Sequence, residues 1–255
     1  MRALERALLE RALPERALAH ALRGGAASLV LLLCLTACSA SAQPRPSGAP
    51  RGLALERVLA ETGLALDELV VPTDPRAAVR LELRDDAGLA ALVDVRVLAS
   101  TREAEARLAE LEPSLSSRGV GAAPNVADHA FVDDARSIVA LSRGNVLVVI
   151  RALSRAQTGP DVLALAAAIV RAADASPFLG TEGAALHLSS SVVPALQPGA
   201  ASTVSLPEGF VALRVDVEGT GLARRLDDRS WIVEGATQRE DVHVTAVDAL
   251  LRVAR

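Results

Sequence analysis

Apolar residues recur at two periods along this chain, and the switches between them outline its elements. Leu53, Leu55, Val58 and Leu59 are spaced for one helical face, which predicts a short helix over 53–63 stopped by Gly63. Val79, Leu81 and Leu83 alternate with charged residues, and so do Val93, Val95 and Val97. These runs predict half-buried strands at 79–84 and 92–98. The turn residues Asp85-Asp86-Ala87-Gly88 lie between them, so the pair reads as a hairpin. Ser100-Thr101-Arg102-Glu103 has the spacing of a capping box. Ala104, Leu108, Leu111 and Leu115 follow at intervals of three or four, predicting an amphipathic helix from about 101 to 117, ended by Gly119. The runs HAFVDD and SIVALSRGNVLVVIRAL supply two or three more strands. Arg143-Gly144-Asn145 is the expected hairpin turn, because Gly and Asn tolerate positive φ. VLVVI (146–150) is apolar on both faces and belongs at the centre of a sheet. A last helix opens at Thr158-Gly159-Pro160-Asp161 and runs to about Ala175, with Val162, Leu165, Ile169 and Val170 inward.

That order predicts an α+β fold for residues 53–178, an antiparallel sheet covered by helices. The stretch SPFLGTEG (176–183) breaks the pattern and reads as a boundary. Beyond it, over 184–255, short β-like runs are split by Pro, Gly and Asp, which suggests a small β-sandwich-like domain with Trp231 as a core anchor. The alternative is that these strands extend the first sheet. The phrase GVGAAPNVADHAFV…SIVALSRGNVLVVI, a loop followed by a hairpin, is similar to the sandwich of small exported bacterial lipoproteins, the PsbP-like group among them. The 184–255 segment resembles bacterial Ig-like domains. Both are likenesses of fold, from which function does not follow.

The N-terminal region follows a different logic. Residues 24–37, GGAASLVLLLCLTA, carry no charge and follow Arg23. A bilayer-spanning helix needs about 20 residues, so this run is too short. It matches the apolar segment of a secretory signal peptide rather than a buried core helix. Leu35-Thr36-Ala37-Cys38 closely resembles the lipobox of bacterial lipoproteins. The resemblance implies that residues 1–37 are a signal peptide removed by a peptidase that reads Leu35, Thr36 and Ala37. It also implies that the Cys38 thiol carries a diacylglyceryl group, with the new amino terminus acylated as well. Cys34, the only other cysteine, lies inside the apolar run and reads as a small hydrophobe. Residues 38–52, rich in Ser, Pro and Gly, read as a flexible tether. Residues 1–23 repeat Arg-Ala-Leu at 6, 11 and 16 with acids interspersed, which is unusual for a leader. They read as a start placed too far upstream, or alternatively as an amphipathic helix interrupted at Pro14.

Composition changes this picture at three points. Half of the 255 residues are apolar, yet there are only three Phe, one Trp and no Tyr, so the core must be built from Ala, Val and Leu. All 27 basic residues are Arg, a bias expected of a GC-rich bacterial genome. Residues 1–37 hold five Arg against three Glu (+2), leaving 22 Arg against 28 acids (−6) for the rest. An acidic mature chain with few aromatics excludes nucleic acid as a partner, since its binders need basic patches and stacking platforms.

Candidate chemistry is sparse. The mature chain has three His, at 129, 187 and 243, and contains no HExxH, CxxC, GxSxG or Walker pattern. RGVGAA lacks the third glycine of a dinucleotide cradle and reads as a loop. The densest polar group is Asp128, His129, Asp133 and Asp134, whose spacing matches no metal loop, so a solvated strand and turn is the plainer reading. His187 and His243 each alternate with apolar neighbours, which predicts structural roles on strand faces. Arg224, Arg225, Asp227, Asp228 and Arg229 read as a solvated hairpin, with a partner-binding loop as the alternative. No catalytic residue, metal or cofactor is expected.

The sequence therefore leads to an exported lipoprotein of the cell membrane or outer membrane, a non-enzymatic module binding an envelope protein or ligand. The alternatives are an envelope enzyme with a site around Asp128–Asp134, or a purely structural envelope protein. The anchor is directly testable. Cys38→Ser should abolish lipid modification and move the protein from the detergent to the aqueous phase, while Cys34→Ser should partition like the wild type. Lipid persisting on Cys38→Ser would contradict the lipobox reading.

Overall fold

The computed structural model describes residues 50–116, 120–123, 125–133, 137–153, 161–179, 186–188, 192, 196, 200–236, 238 and 241–255. Leu35, Thr36, Ala37, Cys38, most of the tether, Thr158-Gly159-Pro160 and Asp134 lie outside them.

A seven-stranded antiparallel sheet carries the larger core. Its strands are β1 (Ala65–Val70), β2 (Val79–Asp85), β3 (Gly88–Val97), β4 (Val120–Ala122), β5 (His129–Asp133), β6 (Ile138–Arg143) and β7 (Val146–Ala152), in the order β1-β2-β3-β7-β6-β5-β4. β7 is central, as its apolar run predicts. Val79, Val95 and Val148 lie side by side, as do Leu81, Val93 and Ile150, and these rows form one buried face. That face is covered by α1 (Leu55–Thr62) through Leu55, Val58 and Leu59, and by α3 (Val162–Ala175) through Val162, Leu165, Ile169 and Val170. Each fully buried Val, Leu or Ile contributes roughly 1.5–3 kcal/mol, so number replaces the aromatic bulk that the chain lacks.

The opposite face is covered by α2 (Thr101–Ser116) only over β4, β5, β6 and β7, where Leu108 packs with Ala140 and Leu147, flanked by Phe131 and Val149. The helix starts as predicted: Ser100 Oγ accepts from the Glu103 N–H at 3.2 Å. The Glu103 carboxylate reaches back to the Ala99 N–H at 3.3 Å, one residue beyond the usual capping box. Asp161 caps α3 through the Leu163 N–H at 3.0 Å, and Gly63 stops α1 in the left-handed region at φ 68°.

Two elements depart from the sequence reading. The segment Ala65–Val70, not predicted as a strand, forms the edge strand β1. The RGVGAA stretch, read as a loop, contributes the short edge strand β4, paired with β5. In the β6–β7 turn only Gly144 has positive φ, at 55°. Asn145 is instead buried, with its amide donating to the carbonyls of Leu98 (2.8 Å) and Arg51 (2.9 Å) and accepting from the Arg51 N–H (2.6 Å).

Residues beyond 200 form two three-stranded sheets. One has the order β10-β11-β8, from β8 (Ser202–Ser205), β10 (Leu222–Arg225) and β11 (Ser230–Glu234). The other has the order β13-β12-β9, from β9 (Phe210–Val217), β12 (Val242–Asp248) and β13 (Val253–Ala254). Val204, Val233, Leu213, Val215 and Val244 meet between them, giving the expected sandwich-like arrangement. Trp231 packs at this core, and its indole N–H donates to the Leu213 carbonyl at 3.1 Å.

The fold class is therefore α+β, a helix-covered antiparallel sheet followed by a small β-sandwich-like part. Gly48–Arg255 forms one compact unit. Residues entering from the tether join its parts: Leu53 N–H donates to the Leu250 carbonyl at 3.0 Å, and Gly52 N–H to the Pro177 carbonyl at 3.2 Å. Leu251 adopts φ 58°, a strained conformation for Leu, and buries its side chain in the larger core beside Val247. Among the described residues no helix is long and apolar enough to cross a membrane.

Candidate functional site

The polar stretch singled out by sequence is dispersed by the fold. Asp128 precedes β5 and serves the β6–β7 turn, accepting from the Gly144 N–H at 2.8 Å and from Arg143 at 2.9 Å. Arg143 reaches on to Asp174 at the end of α3 with two bonds, of 2.6 and 2.7 Å. Asp133, at the far end of β5, is buried and accepts from Ser137 N–H (2.6 Å), Ser137 Oγ–H (2.7 Å) and Ile138 N–H (2.8 Å). Its carboxylate closes the β5–β6 connection. Both groups are thus occupied in holding backbone. His129 is exposed on the α2 face, 3.5 Å from the Glu105 carboxylate.

A Ser–His–Glu alignment escapes the sequence reading because its members come from three elements. Ser142 stands opposite His129 on the neighbouring strand, and Glu105 is the acid beside that His. Ser142 Oγ is fully buried and makes no hydrogen bond, so it is neither activated by His129 nor open to a substrate. His243 lies on β12 with Nε2 2.9 Å from Glu218 and Nδ1 3.1 Å from Arg255, a strand-face arrangement like the one expected. His187 is exposed in an irregular segment. In the 224–229 stretch, Arg225 pairs with Asp228 at 2.6 Å in a surface hairpin. Among the described residues no group of three or more His, Cys, Asp or Glu is placed to hold a metal ion.

Charge concentrates on the half of the sheet that α2 leaves uncovered. Arg80, Asp94 and Val149 form one cross-strand row, and Glu82, Leu92 and Arg151 the next. Asp94 accepts from Arg80 Nε at 2.7 Å and also from Arg151. Burial pushes the Asp94 carboxyl up, but the hydrogen bonds and charges of the two guanidiniums outweigh it and hold it below the usual carboxylate range.

This face runs into a cleft of about 380 Å³ at the end of β3. Val97 and Val253, both half-buried, supply its exposed aliphatic lining over the buried Val95 and Leu251, and Arg76, Arg96, Arg107 and Glu103 carry its charge. Arg107 is paired with Glu110 at 2.9 Å. Arg76 and Arg96 have no ion pair among the described residues. Leu98, in the same cleft, is tied through Asn145 to Arg51, so the cleft adjoins the point where the tether enters the fold.

Comparison with protein-family models, curated proteins and solved structures gives no match.

The Asp94 linkage has a definite sign. A carboxyl whose pKa is lowered by folding adds stability that is fully present above its unfolded value of about 3.9 and is lost as pH falls through the folded value. Asp94→Asn should therefore destabilise at pH 7 and lose less further stability than the wild type on acidification below about pH 4, so that the two converge. Urea midpoints at pH 7, 5 and 3 check this; parallel profiles would exclude the triad as an acid-labile element.

Proposed function

We propose that this chain is an exported, lipid-anchored binding module of the bacterial envelope, held by Cys38 on a tether that ends where Arg51 and Gly52 join the fold, and binding a small anionic amphiphile in the cleft beside that entry. The observation that carries the reading is the pairing of Arg76 and Arg96, both without ion pairs among the described residues, with aliphatic side chains in one cleft. A guanidinium offers forked N–H donors that match a carboxylate or phosphate. The half-buried Val97 and Val253 take an acyl chain or similar apolar part, and the volume lies within the range of small-molecule sites.

The enzymatic alternative draws on Asp128–Asp134, and the hydrogen bonds that Asp128 and Asp133 give to turn closure favour a structural part for both. The purely structural alternative gives no role to Arg76 and Arg96, which have no ion pair among the described residues. Export and anchoring rest on the lipobox resemblance of Leu35-Thr36-Ala37-Cys38.

Calorimetric titration of the full chain with octanoate and with octanol separates the contributions. Octanoate should bind more tightly than octanol. The double variant Arg76→Gln/Arg96→Gln should weaken octanoate roughly tenfold, about 1.4 kcal/mol, while leaving octanol unchanged. Equal affinity for the two ligands, or an unaltered octanoate affinity in the variant, would overturn the anion site.

A further inference from the structure

Two sheet edges face a second groove, on the other side of the molecule's chemistry from the arginine cleft. Among the described residues β1 pairs with β2 alone, and β9 with β12 alone, so each presents a backbone edge to which no described strand is paired. A groove of about 380 Å³ is lined by every residue from 66 to 71 and from 211 to 214. Side chains of a strand alternate between its two faces, so a groove touched by each successive residue lies against the strand's backbone edge. Both walls are therefore rows of peptide N–H and C=O groups, and the chemistry that satisfies such rows is another extended polypeptide.

The charges select among polypeptides. Glu68 is exposed and has no ion pair among the described residues, and Asp67 is only 3.8 Å from a half-exposed Arg84. The basic groups in the groove are already neutralised, Arg214 by Asp216 at 2.9 Å and Arg225 by Asp228 at 2.6 Å. The unspent charge is negative.

We propose that this groove binds a short, extended, basic segment of another protein, added as a strand to the free edge of β1. The ladder is short because the β1–β2 register shifts between Leu66 and Glu68, leaving Asp67 in a bulge. Such a bulge limits open-ended strand addition while sparing the run from Glu68 to Val71. The β9 wall contributes less, since the Trp231 indole already occupies the Leu213 carbonyl. This site is independent of the arginine cleft and of the lipid anchor.

Trp231 lines the groove and is the only Trp in the chain, so its emission reports occupancy. The full chain is titrated with the end-blocked pentapeptide Val-Arg-Val-Arg-Val, with its analogue N-methylated at alternate amides, and with Val-Glu-Val-Glu-Val. The basic peptide should give a saturable change, and the N-methylated and acidic peptides should bind at least tenfold more weakly. Glu68→Arg, on an exposed side chain, should weaken the basic peptide by about tenfold with the thermal midpoint unmoved. Equal binding of the N-methylated peptide would show that backbone pairing is not used, and would overturn the proposal. So would the absence of any saturable response, or a dimer of the chain that the peptide fails to dissociate, which would assign the groove to a second copy.

Discussion

The central strand β7 must be shielded from water on both faces, and the rest of the molecule follows from how that is done. Val146, Val148 and Ile150 point to one side, Leu147 and Val149 to the other. α1 and α3 cover the first face across the sheet. On the second face a single helix of 16 residues covers only the strands from β7 outward to β4. The β2–β3 half of that face is not covered by α2, and there the alternating positions carry Arg80, Glu82, Asp94 and Arg96, with Leu92 among them. A chain with four aromatic residues had little bulk to spread over a second cover. It meets the shortage with charge instead.

Both open surfaces arise from this incomplete cover. The arginine cleft sits where the charged half-face ends, between the last residues of β3 and the C-terminal turn that carries Leu251. The edge groove sits where the sheet runs out at β1 and meets the sandwich at β9. The acids at the turns behave differently. Asp128, Asp133 and Asp248 each hold turn backbone, Asp248 by accepting from the Leu250 and Arg252 N–H groups at 2.9 Å each.

Much of the fold was legible in the sequence wherever burial imposed a period. The hairpins 79–97 and 138–152 and the three helices among the described residues follow directly from the spacing of Val, Leu and Ala. What escaped was at the edges. β1 carries Asp67 and Glu68 within a six-residue strand, and β4 carries Gly121 within three. Edge strands bury little and tolerate such residues, so their patterns fade. Asn145 was read for the wrong property: its backbone is ordinary and its side-chain amide is the working part. The candidate sites were less legible. The cleft joins Arg76, Arg96 and Leu251, and the groove joins β1 to β9, and no local pattern announces contacts between segments so far apart in sequence. The compact polar stretch at 128–134 attracted notice because its members are neighbours in the chain, yet the fold directs Asp128 and Asp133 to different turns.

Amide hydrogen exchange tests the account most directly, because it reads which strands are covered and which are open. Under native conditions the amides of Val146–Ala152 should be among the slowest in the chain, and those of Glu68–Val71 that face away from β2 among the fastest in any strand. Comparable exchange in β7 and β1 would contradict an architecture organised around a doubly covered central strand with open edges.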